Sequence, residues 1–142
     1  MATAPSWRGP YSAETPFGGS ITTEDYPYDE NEDPFLWKSS RGFHALFHAN
    51  TWLDSRGATF PVPMYAGRYA FSIDGRNWTY AREPPFNGTV VWSNGTVSPF
   101  ARIERPYLIF DSDGTTPAAL VNGAQRYAWN AQTFTLVRPV QK

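Results

Sequence analysis

The chain has no cysteine. Disulfides, thiolate metal ligands and thiol nucleophiles are therefore excluded. No apolar run approaches the roughly 20 residues that a membrane-spanning helix needs. Helical patterning is scarce as well. No stretch keeps an apolar period of about 3.6 residues for three turns without a proline or glycine. The first 17 residues have no apolar core of the kind a secretory leader carries, and Pro5 and Pro10 interrupt them. The net charge is only -1, so no global field draws the chain to nucleic acid. Neither nucleic acid nor a membrane is an expected partner. A glycine-rich phosphate loop and a nucleophile-elbow serine are both missing.

What remains is turn-rich and aromatic. A length of 142 residues suits one domain. The 13 prolines and 11 glycines favour short strands and turns over long helices. Aromatic residues make up 17% of the chain, which predicts a folded protein with aromatic clusters. The charge is unevenly spread: residues 1–33 carry a net -6 and residues 34–142 a net +5. Most of the acids in the first part read as solvated charge. Glu32 and Asp33 end that acidic stretch inside a motif and are treated separately.

Strand signals recur in a fixed order. Phe35-Leu36-Trp37 is followed by the turn Ser39-Ser40-Arg41-Gly42 and then by Phe43 to His48. Arg68 to Ile73, the turn Asp74-Gly75 and Trp78-Thr79-Tyr80 complete an antiparallel four-stranded meander. The pattern then repeats. Glu32-Asp33-Pro34-Phe35 matches Glu104-Arg105-Pro106-Tyr107 at an offset of 72, and Gly42 matches Gly114. Leu46 aligns with Leu120 after a two-residue insertion, which sets His48 against Asn122. Arg68-Tyr69-Ala70-Phe71 matches Arg126-Tyr127-Ala128-Trp129, and Ser6-Trp7 echoes Asn77-Trp78.

A meander repeated radially is a propeller blade. The expected fold is all-β: a partial β-propeller of about two and a half four-stranded antiparallel blades in one domain spanning 1–142. Residues 1–31 form the end of a preceding blade and an acidic connector, 32–82 one blade, and 83–142 a second blade and a terminal strand. Two blades leave exposed faces and edges, so the expectation includes a missing N-terminal half or self-association.

Both acidic motifs begin the strand that would line a propeller's axis. Glycosidic cleavage needs a carboxylic acid on the leaving oxygen and a carboxylate on the other face. Proline after the acidic residue stiffens the start of the strand. Asp33 stands one residue before its proline and Glu104 two, so strand alternation alone would turn them to opposite faces. Glu32 is in register with Glu104 and competes with Asp33 as the inward group.

These motifs resemble those of the five-bladed β-propeller glycoside hydrolases, which group arabinanases and xylosidases of glycoside hydrolase family 43 with invertases and levansucrases. The segment Asp74-Gly75-Arg76-Asn77-Trp78 is similar to the turn that closes a blade's outer hairpin there. The resemblance spans most of residues 5–140. It implies hydrolysis of glycosidic bonds in poly- or oligosaccharides. It also implies Glu104 as general acid and Asp33 as the carboxylate that orients the site. The third carboxylate, the base or nucleophile, would lie on a first blade far upstream of Asp33. Only 32 residues precede Asp33, so the resemblance casts the chain as a C-terminal fragment. A non-catalytic carbohydrate-binding or protein-interaction propeller is the alternative.

Trp37, Arg105, His48 and its repeat counterpart Asn122 are the expected substrate-binding residues. Trp52 and Trp92 are further stacking candidates. His44 and His48 sit four residues apart, about 13 Å along a strand, so they cannot share one ion. No cofactor is expected beyond a central ion such as calcium, which the resemblance permits near one histidine. The sequons at Asn77, Asn87 and Asn94 point to an extracellular or secretory setting, although Asn-Gly is also a turn dipeptide.

Overall fold

The structure is a computed structural model and describes residues 2–13, 29–51, 65–81, 83–126 and 132–140. Among these residues there is no helix, and the sheets are antiparallel and open. Trp52, Tyr127 to Trp129 and the acids Glu14, Glu24 and Asp25 lie outside the described residues.

Strands β1 (Ala2–Thr3) and β2 (Ser12–Ala13) form a small hairpin of their own. Strands β3 (Asp29–Ser39), β4 (Gly42–Thr51), β5 (Tyr65–Ser72) and β6 (Thr79–Tyr80) form the expected four-stranded meander. Strands β7 (Thr89–Val91) and β8 (Val97–Pro99) pair as a separate hairpin. Strands β9 (Arg102–Phe110), β10 (Pro117–Gln125) and β11 (Thr133–Pro139) form a three-stranded sheet in the order β11-β10-β9.

Two sequence matches are corrected, and a third falls mostly outside the described residues. The second unit has three strands among the described residues. Arg126 follows the end of β10, and the strand that pairs with β10 is Thr133–Pro139. The echo between Ser6-Trp7 and Asn77-Trp78 does not extend to their strand context. Ser6 and Trp7 lie in the connection of the β1–β2 hairpin, whereas Trp78 immediately precedes a sheet strand. Finally, His48 is not the counterpart of Asn122. His48 pairs with Glu32, while Gly123 pairs with Glu104. By pairing, His48 therefore corresponds to Gly123, and Asn122 corresponds to Phe47. Sequence matching placed the insertion one residue short.

Local chemistry explains the hairpins. Gly42 closes the β3–β4 turn at φ 144°, where a Cβ would lie 2.4 Å from the Ser72 carbonyl oxygen. Asp74 accepts hydrogen bonds from the Arg76 and Asn77 backbone amides and from the Ser72 hydroxyl, which holds its carboxyl below the ordinary range. Asp113 does the same in the β9–β10 turn with Thr115 and Thr116, and its pKa falls to about 2. Asn87 and Asn94 accept from the amides of Thr89 and Thr96, the Asx-turn use of Asn.

Alternation sorts the two faces of the first sheet. Phe35, Trp37, Leu46 and Tyr69 face the three-stranded sheet and pack with Ile103, Leu108, Leu120 and Leu136. Ala45, Phe47 and Ala70 face the other way, with Trp78 and Tyr80. Phe86 and Val90, from the segment joining the sheets, complete the main core. Gly67 pairs with His48, and its amide donates to the Phe86 carbonyl at 2.8 Å. The Phe86 ring occupies the space of a Gly67 side chain, since a Cβ there would meet ring carbons at 2.2 Å. Gly67→Ala is expected to destabilise the protein by about 1–3 kcal/mol through overpacking. Chemical denaturation measures this, and an unchanged midpoint would contradict the placement of Phe86.

Candidate functional site

The two acid-proline motifs share one backbone device. Glu32 pairs with His48 and Phe35 with Leu46, so Asp33 and Pro34 together oppose Phe47. Glu104 pairs with Gly123 and Tyr107 with Val121, so Arg105 and Pro106 together oppose Asn122. Each is a β-bulge, which re-aims the side chain at the extra residue. Asp33 and Arg105 both adopt left-handed backbone, at φ 51° and 55°. Such a conformation costs a non-glycine residue about 1–2 kcal/mol. The following proline has no amide to leave unpaired at the disrupted rung.

The two bulged strands, β3 and β9, lie against one another. Arg105 Nε lies 3.6 Å from Asp33 Oδ2. The rings of Phe35 and Tyr107, one position past each proline, are 4.6 Å apart. On the first sheet, His48 Nδ1 is 3.6 Å from Asp33 Oδ2 and 3.8 Å from Glu32 Oε2. The imidazole is 2% exposed, while the Glu32 and Asp33 side chains are 49% and 40% exposed. A buried ring thus faces two carboxylates that open to solvent. Such a cluster can orient a polar ligand or hold a cation.

Glu104 lies in a concavity that Arg105 also lines. Its carboxylate pairs with Arg102 at 3.2 Å. Both line a groove of about 510 Å³ with Gly123, Gln125, Thr133 and Thr135. Gly123, directly opposite Glu104, contributes no side chain and leaves the groove its depth. Asn122 is 1% exposed and turned into the core. It donates to the Glu104 carbonyl oxygen at 3.2 Å and accepts from Arg138 Nη2 at 2.8 Å. Asn122 therefore braces the second bulge from beneath. Burial keeps the Arg138 guanidinium below its usual pKa.

Trp37 lies at the far end of β3, roughly 13 Å from Asp33 at about 3.3 Å per residue. It stacks on His44 at 4.8 Å with an interplanar angle of 11°. Together with Phe43 and Trp78 they line a cavity of about 640 Å³. His44 Nε2 shares a hydrogen bond with Ser39 Oγ, and Nδ1 one with the Tyr69 hydroxyl, each at 2.7 Å. Burial first, and the Arg41 cation second, hold the His44 imidazole below the usual histidine range. Burial also raises the Tyr69 phenol. The unfolded chain therefore binds a proton more readily at His44 than the native state does. This contribution to stability is complete above about pH 6.5 and is lost as pH falls through the lowered native value. Urea midpoints are expected to drop between about pH 7.5 and pH 5.5, and His44→Gln to flatten that drop.

Of the site residues read from the sequence, the structure gathers Asp33, His48 and Arg105, with Glu32 as fourth member. Glu104 sits in the adjoining groove, Trp37 at the opposite end of the sheet and Asn122 in the core. Arg102 went unnoticed in the sequence. Its position two residues before Glu104 on a strand was the available signal, since such residues share a face. Comparison with protein-family models, with curated proteins and with solved structures finds no match.

Proposed function

We propose that the chain is a propeller-type glycoside hydrolase unit acting on poly- or oligosaccharides. Glu104 is the general acid, and Asp33 orients the site. The observation that carries this reading is the Asp33–Arg105 contact, which joins the two acid-proline motifs where neighbouring inner strands meet. The stacking order of the sheets agrees with it. The face of the first sheet that bears Leu46 covers the face of the second that bears Leu120, which by pairing corresponds to the first sheet's opposite face. Blades follow one another around an axis in that sense.

The second reading is a sugar-binding unit without turnover. The Arg102–Glu104 ion pair favours it, because that contact engages the carboxylate that would donate the proton. Hydrolysis assays on activated aryl glycosides separate the two. Formate or azide is added as an external nucleophile, since a small anion can attack the anomeric carbon in place of a carboxylate. Turnover that rises with the added anion is expected. Sugar binding with no turnover under any nucleophile would leave the second reading, and neither binding nor turnover would end both.

A further inference from the structure

We propose that Glu32, Asp33 and His48 form a binding site for one divalent transition-metal cation of the zinc or cobalt type. The site shares Asp33 with the glycosidic reading but does not rest on that reading. One donor atom from each residue lies within 4.8 Å of the other two. The two separations from His48 Nδ1, 3.6 and 3.8 Å, exceed hydrogen-bond length. They fit ligand-to-ligand edges around an ion: bonds of about 2.1 Å in tetrahedral geometry set donors about 3.4 Å apart. The remaining separation, within 4.8 Å, closes toward that value through shifts of the half-exposed Glu32 and Asp33 side chains.

The donor set selects the ion. One imidazole and two carboxylates supply mixed nitrogen and oxygen ligands and two negative charges. That combination suits zinc, cobalt or manganese, whereas calcium takes six to eight oxygens. The ring is buried against the segment where Phe86 covers Gly67, the β5 residue paired with His48. The carboxylates face solvent, so the outer coordination position is open to water or to an oxygen-bearing ligand.

The internal repeat supports specificity. The second unit keeps the bulge, the left-handed residue and the glutamate, yet carries Arg105 where the first has Asp33 and Gly123 where the first has His48. The backbone frame therefore forms without those two ligands. Their presence in the first unit is not a demand of the fold.

Titration of the full chain with Zn2+ and with Co2+ tests the site. One saturable equivalent is expected, with a visible absorption band for Co2+ and a raised unfolding temperature. Asp33→Arg, a side chain the same bulge already accommodates in the second unit, should weaken binding at least about tenfold. His48→Gln should do the same, with its unfolding midpoint measured in parallel because the ring is buried. Glu83→Gln, an exposed acid elsewhere, should leave binding unchanged. Arg105→Gln should strengthen binding about threefold by removing a nearby positive charge. The proposal is overturned if no saturable equivalent binds. It is equally overturned if binding survives both Asp33→Arg and His48→Gln, or if Ca2+ binds more tightly than Zn2+.

Discussion

Glu104→Gln is expected to lower hydrolysis of glycosides with poor leaving groups by about 10²–10⁴-fold, the usual contribution of general acid catalysis. Glycosides whose leaving group departs without a proton should be hydrolysed almost as before. This split separates a proton donor from a residue that merely shapes the groove, because a shaping residue would affect both substrates alike. Glutamine keeps the size and can still accept from Arg102, so the groove lined by Gly123, Gln125 and Thr135 should persist. The comparison is made with formate present, so that nucleophilic attack is supplied equally to both proteins. Equal losses on good and poor leaving groups would remove Glu104 from the acid role.

Ile103→Ala should cost about 3 kcal/mol, within the 2–5 kcal/mol typical of a large aliphatic cut to alanine in a core. Ile103 is 0% exposed and sits in the cluster with Leu46, Leu108, Leu120 and Leu136 that joins the two main sheets. The cost has two parts, the lost burial of the removed carbons and the cavity left between sheets that relax only partly. Ile103→Val, which removes one carbon, should cost about 0.5–1.5 kcal/mol. Urea denaturation monitored by tryptophan fluorescence gives both values. Losses below about 1 kcal/mol for the alanine variant would mean that the two sheets do not share one core. Ile103 and Glu104 are neighbours that face opposite sides of β9. The pair of variants therefore separates loss of packing from loss of chemistry.

Much of the architecture was legible because its causes are local. The Ser39 to Gly42 and Asp74-Gly75 turns carry their own turn chemistry, and the aromatic, apolar run from Phe43 to His48 marks a strand. The 72-residue offset correctly pairs Glu32 with Glu104 and Pro34 with Pro106, whereas Gly42 opens β4 and Gly114 lies inside the longer β9–β10 turn. The offset also pairs Asp33 with Arg105, and these two share a left-handed backbone. The one-residue displacement between Asp33 and Glu104 correctly warned that the two carboxylates lack a common register.

The errors arose where a signal depends on a partner strand. A bulge at Ala118, within β10, shifts every later residue by one and so to the other face. His48 consequently aligns with Asn122 in sequence but with Gly123 in the sheet. That shift decides that His48 meets two carboxylates while Asn122 is buried beneath the second bulge. The Arg126 to Trp129 match falls mostly outside the described residues, and β10 pairs with Thr133–Pro139, the segment read as a terminal strand. Propensity cannot choose between two segments that both suit a strand.

By itself, then, the amino-acid order determined that the chain is all-β, where its first hairpins turn, and which acid-proline motifs repeat. Backbone geometry and side-chain alternation act over a few residues, so these features need no knowledge of distant neighbours. Only the tertiary structure decided which carboxylates share a site. Stacking one sheet on the other brought Arg105 to Asp33, and the first bulge turned Asp33 toward His48. Glu104 instead pairs with Arg102, two residues before it on β9, in a groove that Arg105 also lines. The reason is physical: a bulge and an inter-sheet contact are fixed by packing between segments far apart in the chain, and one residue of register reverses the face each side chain presents.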